Sequence, residues 1–161
     1  MRSLRLAVGA LLFFVCGTWC IAHAQSSAKD ELLAIHQADR KAHFARDADA
    51  LVANVAPEFL QVYDGKIHRI SRDDLRKRFV NYFQGAEFVA WDDLEPPVIE
   101  VSPDGKMGWM AVRLKVTIRK ADAAGSKIAE DTIMSWISTY EKHDGIWQHV
   151  ANATTIEKPV N

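Results

Sequence analysis

The chain has 161 residues, with 20 basic and 21 acidic side chains and a formal net charge of −1. So even a balance gives no reason to expect nucleic acid or an anionic membrane surface as a partner. Both cysteines, Cys16 and Cys20, fall within the first two dozen residues, so the rest of the chain can hold neither a disulfide nor a thiolate metal site.

The N-terminus carries Arg2 and Arg5, an apolar run from Leu6 to Val15, and Ala22-His23-Ala24. A basic start, an apolar middle and an Ala-x-Ala end are the parts of a secretory signal peptide. The expected cut follows Ala24, and residues 25–161 then form one exported domain in the periplasm or extracellular space. A membrane anchor needs about 20 apolar residues, and this run is shorter and broken by Gly17 and Thr18. Lipid attachment is disfavoured too, because Cys16 follows Phe13-Phe14-Val15 and Cys20 follows Thr18-Trp19.

Beyond the cut, Ser27 and Asp30 have capping-box spacing, and Leu32, Ile35, Asp39, Ala42 and Arg46 recur at helical intervals. A short second helix is expected from Asp47 or Asp49, ended by Pro57. Phe59 to Tyr63 reads as a strand, Asp64-Gly65 as a tight turn and Lys66 to His68 as the return strand. Ser71 caps a third helix with Asp74 three residues on. Leu75, Phe79, Tyr82 and Phe83 form its apolar stripe, and Gly85 stops it.

Strands follow at Phe88–Leu94 and Val98–Val101, with Pro96-Pro97 between them. From Met107 to Arg119 the residues alternate, with Met110, Val112, Leu114, Val116 and Ile118 on one face. Two more strands are expected, Lys127–Lys142 and Trp147–Ile156, joined at Asp144-Gly145. Helices first and antiparallel strands last argue an α+β domain, with about three helices packed on a strongly curved, mostly antiparallel sheet.

Several phrases in this order resemble the SnoaL-like group of the nuclear-transport-factor-2-like superfamily. They are Arg46-Asp47-Ala48-Asp49-Ala50-Leu51, Pro57-Glu58-Phe59, Asp64-Gly65-Lys66, Ser71-Arg72-Asp73-Asp74-Leu75 and Asp144-Gly145-Ile146-Trp147. The resemblance implies a cone closed around a pocket that opens at the wide end. Its relatives include isomerases, dehydratases, cyclases and proteins that bind ligands or partners. The group's last strand carries His and Asp soon after the Trp, where this chain has Ala151, Asn152 and Ala153.

Asp39 is the first candidate for chemistry, because a carboxylate on a core-facing stripe is costly unless paired or facing a polar cavity. It is either a general base, with His43 beside it as an imidazole partner, or one half of a surface pair with His43 or Arg40. Dehydratases of the resembled fold use such a carboxylate–imidazole dyad. His36, Arg40 and His43 share one helix face, at a spacing that does not make a metal site.

Asp92 and Asp93 alternate across a strand and cannot share a cation side by side. Tyr63, Trp91, Trp136, Asn152 and Thr154 are the candidate pocket lining, the last two if the Val150 face points inward. No cofactor or metal is expected. The leading reading is a pocket for a small apolar or aromatic molecule. The alternatives are a small lyase or isomerase using Asp39, and a homodimer formed through the outer sheet face around Trp109, Ile133 and Ile137.

Overall fold

A computed structural model describes residues 12–121 and 127–157, with side chains from 27 to 120 and 128 to 157. Helix α1 runs unbroken from Leu12 to Ala45. Ser27 therefore lies inside a helix rather than at its start, and its hydroxyl has no free amide end to cap. Leu32 and Ala42 are buried along the apolar stripe, with Ile35 packed beside them. Arg46 adopts a left-handed φ of 56° and leaves the helix, so the stripe ends one turn before that residue. No described helix is long and apolar enough to cross a membrane.

Helix α2 (Ala48–Val52) is capped by Asp47, whose carboxylate accepts the Ala50 N–H. Pro57 does not end it. Strand β1 (Val55–Tyr63) takes Pro57 into its interior. The reason lies in the ladders: pairing with β2 begins at Glu58, and pairing with β7 shifts register between Val55 and Leu60. Proline, with no N–H to donate, occupies the gap.

Strand β2 (Lys66–Ser71) returns to helix α3 (Arg72–Phe83). At its start the Asp74 N–H donates to Ser71 Oγ at 3.1 Å, while the Ser71 hydroxyl donates to the Asp74 carboxylate at 2.9 Å. Then come β3 (Glu87–Asp93), β4 (Val98–Val101), β5 (Met107–Ala121), β6 (Lys127–His143) and β7 (Ile146–Ile156).

The seven strands form one sheet in the order β2-β1-β7-β6-β5-β3, with β4 also on β5. Every pairing is antiparallel except β1 with β7. Met110, Val112, Leu114 and Val116 of β5 are almost wholly buried beneath the helices, as their alternation requires. Where α1 crosses β5 there is room only for glycine: a Cβ on Gly108 would stand 2.7 Å from Leu32 Cδ1 and 3.3 Å from the Glu100 carbonyl oxygen. A second tie is polar, since Glu31 accepts from Lys142 Nζ at 2.6 Å and from Trp147 Nε1 at 2.7 Å.

Two bulges decide which side chains enter the cone. The β3–β5 register shifts between Phe88 and Ala90, so Phe88 and Trp91 both point inward. The β6–β7 register shifts between Thr139 and Tyr140, skipping Val150. Trp147 and His149 share the inner face before that shift. After it Asn152 and Thr154 do, in register with Ser138 and Trp136.

Candidate functional site

Inside the cone, between α1, α3 and the inner face of the sheet, is a cavity of about 280 Å³. Its walls are largely aromatic and thioether, from Phe59, Phe79, Trp91, Trp136, Met110 and Met134. Asp39 enters from α1. No hydrogen-bond or ion-pair partner for its carboxyl is found among the described residues, and burial alone pushes its pKa up to about 7. Surface pairing is thus not what Asp39 does. Arg40 turns away, donating to the Trp91 carbonyl at 2.8 Å and standing 3.8 Å from Asp92.

His43 lies one turn on from Asp39 but forms no dyad with its carboxyl. Its Nδ1–H donates to the Asp39 backbone carbonyl at 2.7 Å. The ring sits 3.9 Å from Trp91 and is flanked by Phe79, Phe83 and Phe88. Burial among these rings holds its pKa down at about 4, so it is neutral at ordinary pH.

Tyr140 comes in from β6 and is 2 % exposed. Burial, with the Asp39 charge beside it, pushes its phenol well above the usual range, and a hydrogen bond with Ser138 pulls the other way. Beside it a polar strip continues along the sheet. Asn152 Nδ2 donates to Ser138 Oγ at 3.3 Å, and the Thr154 hydroxyl donates to Asn152 Oδ1.

The residues expected in the pocket divide. Trp91, Trp136, Asn152 and Thr154 line this cavity together with Asp39 and His43. Tyr63 does not: its ring stacks on His68 at 4.4 Å, and it borders an open groove of about 1200 Å³ that shares Gln61, Trp136, Asn152 and Thr154 with the cavity. That groove is floored by Ala111, Ile137 and Ala153, which alternate with the inward residues Val112, Trp136 and Thr154. Tyr63 sits at the far end of β1, beside the turn to β2 and beyond the reach of the cone.

His149 is the residue that sequence reasoning missed. Counting from Trp147 to Ala151 and Ala153 leaves this strand without an acid–base group, yet His149 lines the cavity. It stacks on Tyr140 at 4.8 Å and meets Phe59 edge-on at 4.7 Å. Its Nε2 is buried with no partner, and burial depresses its pKa to about 4. A signal was available, since His149 has the parity of Trp147, whose burial fixes the inner face. Trp91 Nε1 is likewise buried without a partner.

Three helices over one face of this strongly bent sheet, with a cavity between them, form a shape shared with known structures. The chain has the nuclear-transport-factor-2-like fold. A superfamily protein from Salmonella enterica serovar Typhimurium superposes with a TM-score of 0.67 at 14% identity, covering 84% of this chain and 95% of that one. A ketosteroid isomerase-like protein from Erwinia carotovora gives 0.60 at 16%, covering 78% and 93%. An NTF2-like protein of unknown function from Prochlorococcus marinus gives 0.61 at 16%, covering 82% and 94%. At such identities the likeness is one of fold, and an NTF2-like fold hosts unrelated functions. No protein-family model and no curated protein matches the chain.

Proposed function

We propose that the inner cavity binds a small, mostly apolar carbonyl compound and that the protein moves a proton on it, as an isomerase or lyase. One observation carries this reading: the Asp39 carboxyl faces the cavity with no protein donor to satisfy it. A structural carboxylate buried at this cost would be paired. An unpaired one titrating near neutrality is suited to take a proton from carbon and give it back.

Tyr140 supports the same reading. Its phenol stays neutral and is buried against Ser138, so it can donate to an oxygen on which negative charge develops. A carboxylate base with a phenol donor is a pairing that stabilises an enolate. The aromatic walls supply affinity for a flat apolar body without competing for the proton.

The test uses 2-tetralone, a flat apolar ketone with exchangeable α-protons. Proton NMR in D₂O is expected to show its α-positions exchanging faster with the protein than with buffer. Asp39→Asn should remove that acceleration, about 10²-fold or more for loss of a general base, while still binding the ketone. Binding without exchange by the wild type would make the protein a carrier rather than an enzyme. Neither binding nor exchange would overturn the reading.

A further inference from the structure

A proton taken up by Asp39 must leave the cavity if it is to exchange with water, and a bound ligand would plug the opening. His36 offers another way out. It stands one turn before Asp39 on α1, is 5 % exposed, and borders both the cavity and a shallow groove on the outer surface between α1 and β3. Its Nε2 lies 3.0 Å from each oxygen of Asp93, across 57 residues of sequence. The Asp93 side chain is 32% exposed and so reaches bulk water.

Two contacts from one nitrogen to one carboxylate assign the ring proton to Nε2. Nδ1 is left bare, with no protein partner among the described residues. We propose that His36 and Asp93 are the proton port of the site, connecting the cavity to solvent through its wall. This rests on the proton-transfer reading given above.

The step balances. A proton from the cavity adds to Nδ1, the Nε2 proton passes to the Asp93 carboxylate, and Asp93 releases it to water. The ring is left as the Nδ1–H tautomer. The next inward proton travels the reverse path, from water through Asp93 to Nε2, expels the Nδ1 proton into the cavity and restores the starting state. The ionisable groups around the pair are Asp39, Arg40 and Lys41 from α1 and Asp92 from β3, where Arg40 and Asp92 offset each other. His43 lines the cavity further along α1, and Tyr140 and His149 line it from the sheet.

The test has two readouts on the full chain. The first is a pH titration with ¹⁵N-labelled histidine. His36 is expected as the Nε2–H tautomer, and Asp39→Asn is expected to shift its Nδ1 resonance. A protonated Nδ1, or an Nδ1 resonance unmoved by Asp39→Asn, overturns the port. The second is deuterium exchange into 2-tetralone. Asp93→Asn and His36→Gln are expected to slow it about tenfold or more, Asp93→Asn with ketone binding unchanged, and wild-type rates in both overturn the port. A wild type inert to 2-tetralone whose Nδ1 resonance still responds to Asp39→Asn would sink the proposed function and leave the proton link standing.

Discussion

Asp39 combines a helical position that favours burial with a side chain that resists it. Its folded pKa of about 7 stands above its ordinary 3.8, so the folded chain holds this proton more tightly than the unfolded one. The sign follows from linkage: its contribution to stability is complete below about pH 4 and is lost as pH rises through about 7. At pH 8 the lost stability is roughly 3–5 kcal/mol. Asp39→Asn should therefore raise the melting temperature at pH 8, by about 5 °C or more, and leave it nearly unchanged at pH 4. An unchanged melting temperature at both pH values would mean the carboxyl is solvated. The stripe Leu32, Ile35, Asp39, Ala42 made this residue visible in the sequence, because one polar member in an apolar series is an anomaly of pattern. Its lack of a partner was not visible, since Arg40 and His43 are within helical reach and only their orientations rule them out.

Among the elements, α3 and β5 were the most legible. The Ser71–Asp74 cap and the period-2 burial of β5 both depend on near neighbours in sequence. Pro57 misled because a proline after a helix reads as a stop, whereas the irregularity that accommodates it comes from β7, far along the chain. The His36–Asp93 contact was out of reach for the same reason. The packing of α1 on β5 gives a test at this scale. Gly108→Ala places a methyl against Leu32 and the Glu100 carbonyl, and should destabilise by about 1–3 kcal/mol. Leu32→Ala opens space at the same point, so the double variant should be less destabilised than the sum of the singles, as read from urea midpoints. Strict additivity would show that the two residues do not share a contact.

For the whole molecule, the buried histidines and Asp39 act in opposite directions. His43 and His149 have folded pKa values of about 4 against an ordinary 6.5, so their contribution is complete above about pH 6.5 and is lost as pH falls to about 4. Two rings outweigh one carboxyl, and the wild type should melt at a lower temperature at pH 4 than at pH 7. His149→Leu should flatten that profile, and Asp39→Asn should steepen it. A wild-type profile that rises toward pH 4 would show that the rings are hydrated. The arrangement of helices before sheet was readable from the order of elements. Which face of each strand looks inward was not, because it depends on the skipped residues in β3 and β7.

The skip at Val150 also bears on how such a protein can change. Point substitutions alter one contact at a time, but loss of the single codon for Val150 would restore regular pairing. His149 would still face Tyr140 and Ala151 would still face Thr139, so Asn152 and Thr154 would keep their places on the inner wall. The polar strip beside Tyr140 would survive that event, whereas a one-residue slip that drew Val150 into the ladder would turn Ala151, Ala153 and Thr155 inward in its place. In related genes, loss of the residue at this position is therefore compatible with a polar inner wall, and its presence is what makes the alternative register available.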